Sequence, residues 1–104
     1  MYIEYNDIEL DIFFNSLPNS IFDNEFDGNI FYQREEGGFK LSMYIYTYSL
    51  EVNIFLNYKN YDIVSLNLVN VSSITLSQKI LTIKSNKNKC QIIFDKVFKI
   101  HNES

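Results

Sequence analysis

The stretch DNEFDG at residues 23–28 sets carboxylates on alternate positions, Asp23, Glu25 and Asp27, ahead of Gly28. An EF-hand calcium loop opens in this way. Such a loop must also close on a bidentate glutamate and draw a further oxygen ligand from three positions earlier. Arg34 and Phe31 hold those places, and the segment from Asn29 to Arg34 is strand-like rather than helical. No metal site is expected; the three acids read as part of an acidic surface in a polar loop.

Other groups able to carry a reaction are few. Glu35 and Glu36 could form an acid–base pair for glycoside chemistry, but neighbours on a strand point to opposite faces. His101 is the single histidine and stands near the C-terminal end, so a triad, dyad or histidine metal cluster is not expected. Cys90 alternates with Ile92 and Phe94 and reads as a small core residue rather than a nucleophile. Glycine occurs at 28, 37 and 38, which leaves no phosphate-binding loop. The chain is not expected to be an enzyme, and no cofactor is expected.

The elements that must position these side chains are mostly strands. One short N-terminal helix comes first: Ile8, Ile12, Phe13 and Leu17 fit one helical face, Asn6 or Asp7 can cap it, and Pro18 should stop it. Segments Asn29–Arg34 and Phe39–Tyr46 flank EEGG, whose glycines supply the positive φ of a tight hairpin. In FKLSMYIYTYSLEVNIFLN the aliphatic positions switch from odd (Leu41, Met43, Ile45) to even (Leu50, Val52, Ile54, Leu56). A single strand cannot change face in this way, so a hairpin loop is placed near Tyr46–Ser49. It pairs Ile45 with Leu50, Met43 with Val52 and Leu41 with Ile54, leaving Tyr44 and Tyr46 on the opposite face and Tyr48 in the loop. Val64, Leu66 and Leu68 alternate after a YKNY turn; Leu81 and Ile83 face Ile92 and Phe94 across NKNK; Ser72–Leu76 and Val97–Ile100 add further strands. About eight short antiparallel strands and one helix predict a mainly β fold, an antiparallel sandwich or an open barrel, in a single domain spanning 1–104.

Composition narrows the function. At 104 residues, 46% hydrophobic and 21% charged, the chain is expected to fold around one core. The lone cysteine asks for no oxidising compartment, the acidic N-terminus is unlike a secretory signal, and no apolar run is long enough to span a bilayer. A soluble, cytoplasmic protein without membrane contact is expected. Net charge is −4, unevenly spread. Residues 1–36 hold Glu4, Asp7, Glu9, Asp11, Asp23, Glu25, Asp27, Glu35 and Glu36 against Arg34; residues 37–104 hold eight lysines against Glu51, Asp62, Asp95 and Glu103. Such a field steers a basic partner to one end and makes direct nucleic-acid binding there unfavourable. Tyrosine is the other surplus, with eight: Tyr32, Tyr44, Tyr46 and Tyr48 could form a rigid contact surface, or pair across strands to stabilise a sheet.

The order of FFNSLP in a short helix, a strand, GGFKLSMYIYTY, LEVNIFLNY, IVSLNLVNVSSITL, KILTIKS and QIIFDKVFKI resembles the small β-rich immunity proteins of bacterial toxin and immunity pairs. It is similar in particular to immunity protein family 50 and to immunity proteins of contact-dependent growth inhibition systems. The resemblance implies a protein without chemistry of its own that binds a cognate toxin domain and covers its active site or substrate path. A toxin that cleaves nucleic acid is basic, which suits an acidic inhibitor. Under that reading the contact residues are Asp23, Glu25, Asp27, Glu35, Glu36 and Tyr32, with Tyr44, Tyr46 and Tyr48. Two other readings stay open: a barrel enclosing a small ligand or carbohydrate, and a self-associating β protein.

Overall fold

Tight turns set the topology. In the computed structural model, which describes residues 1–21, 27–86, 88–95 and 97–103, helix α1 (Asp7–Phe14) precedes a meander of β1 (Asn19–Ser20), β2 (Asn29–Glu36), β3 (Phe39–Tyr46), β4 (Glu51–Tyr58) and β5 (Tyr61–Leu68). These five strands form one antiparallel sheet in sequence order. A second meander, β6 (Val71–Ser77), β7 (Ile80–Ser85), β8 (Lys89–Asp95) and β9 (Val97–Glu103), forms a four-stranded sheet, again in order. Gly37 and Gly38 join β2 to β3 with φ of 57° and 89°, and Lys59 and Asn60 join β4 to β5 with φ of 48° and 73°. Two consecutive positive-φ residues match the twist of the strands they connect. The expected EEGG turn is thus present, with both glutamates still inside β2.

The parity switch does mark a hairpin, but the register differs from expectation by two residues. Ile45 pairs with Val52, Met43 with Ile54 and Leu41 with Leu56. Leu50 belongs to the four-residue turn, at φ 60°, where it cannot continue a strand. A slip of two keeps every side chain on its expected face, so the aliphatics still point inward. Leu81 likewise pairs with Ile92 and Ile83 with Cys90, while Phe94 pairs with Phe98.

The inward faces of both sheets share one core. Leu41, Met43, Ile45, Val52 and Ile54 from the first sheet are buried together with Val71, Ile74, Leu81, Ile83, Cys90 and Ile92 from the second. Burial of each large aliphatic is worth about 1.5–3 kcal/mol. The described strands pair within two separate sheets, so the architecture is a sandwich rather than a closed barrel, and side chains fill its interior. The small excess over the expected strand number includes β1, which adds two residues to the edge of β2.

Helix α1 lies against β2 and β6. Asn6 caps it, its side chain accepting the N–H of Ile8 and Glu9, and Asn15 ends it in the left-handed region at φ 52°. The terminator is therefore Asn15, not Pro18. The helical face also differs from expectation: Leu10, Phe13 and Phe14 are buried, whereas Ile8, Ile12 and Leu17 are 68%, 65% and 75% exposed. Of the predicted face only Phe13 enters the core. Both sides of the helix are apolar, and packing selects the one with two phenylalanines, which removes more area from water. The segment before α1 ties the sheets together. Ile3 N–H donates to Thr47 O at 2.9 Å, Glu4 N–H to Ser72 O at 3.0 Å, and Ile74 N–H to Glu4 O at 2.9 Å.

Candidate partner-binding surface

Several of the acids are occupied within the fold. Glu9 Oε1 accepts the N–H of Leu76 at 3.2 Å. Asp11 Oδ1 accepts the Tyr32 hydroxyl at 2.8 Å. Glu36 Oε1 accepts Arg34 Nε at 3.1 Å and pairs with its Nη2 at 3.1 Å. Asp27 Oδ1 accepts the N–H of Asn29 at 2.9 Å, the local turn its residue type favours. Asp23 and Glu25 lie outside the described residues. Within the first third of the chain Glu4, Asp7 and Glu35 are exposed, on the N-terminal segment, the start of α1 and the end of β2; Asp62 in β5 and Asp95 in β8 are exposed as well.

Tyr32 is a correction. It was expected at a contact surface, but it has 0% exposure, because even positions of β2 face the core side. Its ring stacks on Phe14 with centroids 5.1 Å apart. Burial pushes its hydroxyl above the ordinary tyrosine range, and donation to Asp11 adds to that shift. Tyr32 fastens the helix to the sheet, its side chain lying in the core and not on the surface. Glu36 shares that side of β2 and is tied to Arg34, while Glu35 points the opposite way, as expected for strand neighbours.

The outward face of the five-stranded sheet carries the other aromatic residues. Phe31 and Tyr44 stack across β2 and β3 at 5.2 Å, and Tyr44 meets Phe55 edge-on at 5.8 Å. This cross-strand ladder also stabilises the sheet itself. Tyr46 lies opposite Asn29 and Glu51. Tyr48, in the turn, is 65% exposed and lies so close to Gly28 that a Cβ there would fall 2.7 Å from its ring. Thr47 N–H donates to Gly28 O at 3.1 Å, which holds Asp27, Tyr46 and Tyr48 at one end of the sheet. Glu35 sits at the other end, opposite Lys40, roughly 20 Å away at about 3.4 Å per residue. There it borders a shallow depression of about 510 Å³ shared with Lys40, Tyr44, Phe55, Asn57 and Lys59. The expected constellation therefore divides into two clusters with Tyr44 between them. Phe31, Phe55 and Glu51 join it without having been singled out; strand alternation with Tyr44 was the signal available for them.

Charge on the second sheet is mostly of the opposite sign, with Asp95 exposed at the end of β8. Lys84, Lys89 and Lys99 are exposed on its strands, and Lys84 lies directly across from Lys89. Cys90 is buried, which pushes its thiol up to about 11. Among the described residues no group of three or more His, Cys, Asp or Glu is placed to hold a metal ion. Among them, too, no helix is long and apolar enough to cross a membrane.

No protein-family model matches the chain, and no curated protein matches it. In fold it is similar to one chain of the contact-dependent growth inhibition toxin and immunity protein complex from Klebsiella pneumoniae 342. The TM-score is 0.82 and the identity 20%, over 99% of this chain and 98% of that one.

Proposed function

We propose that this protein is an immunity protein, which binds a cognate bacterial toxin domain and neutralises it by covering its active site or substrate path. The observation that carries the reading is the end-to-end likeness of fold to a chain of a toxin and immunity protein complex. Of the two roles in such a pair, the residues of this chain suit the inhibitor. Its one thiol is buried and held protonated near neutral pH, its one histidine lies near the end of β9, and its adjacent glutamates diverge to opposite faces. The toxin is a basic nuclease: the acidic first third of the chain complements a surface built to hold phosphates. Asp23, Glu25, Asp27 and Glu35, with Tyr44, Tyr46 and Tyr48, are proposed to contribute to the contact. Glu36 contributes through the same end of β2.

Co-expression with the products of the genes that flank it tests this directly. The expected result is a complex that survives purification and a toxin whose nucleic-acid cleavage is abolished in proportion to added protein. A toxin neither bound nor inhibited would overturn the reading. Recovery of a bound sugar in place of a protein would instead favour a carbohydrate site in the depression beside Tyr44 and Phe55, where aromatic rings meet Glu35, Lys40 and Asn57.

A further inference from the structure

We infer that the outer face of α1, formed by Ile8 and Ile12 with Leu17 just beyond the helix cap, is the apolar anchor of the toxin interface, and that the toxin seats a basic, amphipathic segment on it. The inference rests on the immunity reading and adds to it the place and chemistry of contact.

A helix apolar on both sides is covered on both sides or leaves a patch in water. Here Leu10, Phe13 and Phe14 take the core side, and Ile8 and Ile12, one turn apart, face outward; Leu17, two residues past the cap, is exposed as well. Single exposed aliphatics are ordinary; Ile8 and Ile12 share one helical face and form a patch. The patch is also rigid. Glu9 holds the helix to Leu76, Asp11 to Tyr32, the Phe13 carbonyl to Arg34 at 2.6 Å, and Ser16 Oγ donates to the Gln33 carbonyl at 3.2 Å. A surface ordered in advance loses little entropy on binding.

Charge selects the occupant. The chain has no lysine or arginine before Arg34, and Arg34 is engaged by Glu36, by the Phe13 carbonyl and by the Phe94 ring, 4.2 Å from its Cζ. On the helix itself Asp7, Glu9 and Asp11 alternate with the apolar residues, and of these Asp7 is exposed, so the charge next to Ile8 and Ile12 is net acidic even with Lys79 at the far edge. A second copy of this chain would bring the same acids against each other, whereas a basic segment would pair with them. Beside Ile12 lies a cleft of about 330 Å³, walled by Phe13, Leu76 and Phe94, with Lys79 and Asp95 offsetting one another at its edge. It can receive one large apolar side chain from the partner, the arrangement in which interface anchors are strongest.

The test compares wild type, an Ile8→Ser/Ile12→Ser/Leu17→Ser variant and a single Ile12→Asp variant for binding kinetics against the toxin domain recovered by co-expression with the flanking genes. Sedimentation of each protein alone is measured in parallel. Because these side chains are exposed, the variants should keep the wild-type melting behaviour. The single variant serves should the triple one fold poorly. The expected result is an affinity about 100-fold weaker, mostly through faster dissociation, with the salt dependence of association retained. Wild-type affinity in the variants would overturn the assignment while leaving the immunity function standing. A wild-type dimer dispersed by the substitutions would overturn it in favour of a second copy. A co-expression that recovers no bound toxin would remove the functional reading and this inference together.

Discussion

Tyr32 makes three contacts from one side chain: its ring stacks on Phe14, its hydroxyl donates to Asp11, and its strand position closes the core under α1. Removing only the hydroxyl isolates the second. Tyr32→Phe should cost about 1–2 kcal/mol in urea unfolding, the range for a hydrogen bond to a carboxylate that retains some contact with solvent. The same residue predicts alkaline sensitivity. Burial raises the hydroxyl pKa of Tyr32 above its ordinary value, and that of half-buried Tyr5 in the same direction. Stability from such groups is complete below about pH 10, the unfolded tyrosine value, and is lost as pH rises further, because only the unfolded chain ionises there. Unfolding free energy should therefore fall above pH 10 with a slope that Tyr32→Phe reduces; an unchanged slope would remove Tyr32 as its source. Cys90 offers an independent probe. With its thiol buried and pushed up to about 11, labelling by iodoacetamide near pH 8 should be slow in the native protein and become fast on addition of urea. Rapid native labelling would contradict its place in the core.

Among the elements, α1 is tied to the sheets by several long-range contacts, and Arg34 makes one of them. Arg34 reaches from β2 to the last turn of the helix, where it caps the Phe13 carbonyl, and lies over Phe94 of β8 while holding Glu36. A lysine can satisfy one of these partners but not the fork and the stack together. Arg34→Lys and Arg34→Ala should both destabilise the fold, the alanine variant by about 2 kcal/mol, and hydrogen exchange should quicken in α1 before the sheets. Equal protection of the helix in the variants would show that Arg34 is not its tether. The elements also show what the sequence could express. The turns at Gly37–Gly38 and Lys59–Asn60 were legible because glycine and asparagine tolerate positive φ. The inward set of β3 and β4 was legible because alternation has only two phases. The register was not, because Leu50 takes a left-handed conformation that leucine rarely adopts and so lengthens the loop. Nor was the helix face, since Ile8 with Ile12 and Leu10 with Phe13 and Phe14 both satisfy a period of about 3.6 residues. The burial of Tyr32 depended on which way β2 turned, and tyrosine suits either environment. The candidate surface was legible only in part, through the acids and through the outward alternation of Tyr44 and Tyr46.

At the scale of the molecule, the uneven charge of the chain becomes a spatial separation. Lys84, Lys89 and Lys99 lie outward on the second sheet beside the exposed Asp95, while Glu4 and Asp7 are exposed on the N-terminal segment and α1 and Glu35 lies on the first sheet opposite Lys40. If the proposed partner is basic, this field should draw it to the acidic side. Reversing Asp23, Glu25 and Glu35 to Lys should slow association several-fold at low salt and by less at high salt, since screening removes the field that the substitutions invert. Asp27 is better changed to Asn, which keeps the acceptor used by Asn29 while removing the charge. Reversing Lys84, Lys89 and Lys99 to Glu should leave association unchanged or faster. Changing Lys84 alone should also stabilise the fold by a few tenths of a kcal/mol, about the worth of relieving two like charges directly opposite on paired strands. The readout is the association rate measured from low to high salt, set beside urea unfolding of each variant. If acidic reversals leave the rate untouched while the lysine reversals abolish binding, the proposed partner docks on the second sheet. Complementarity to a basic partner would then be the wrong account of recognition, whatever the toxin's activity.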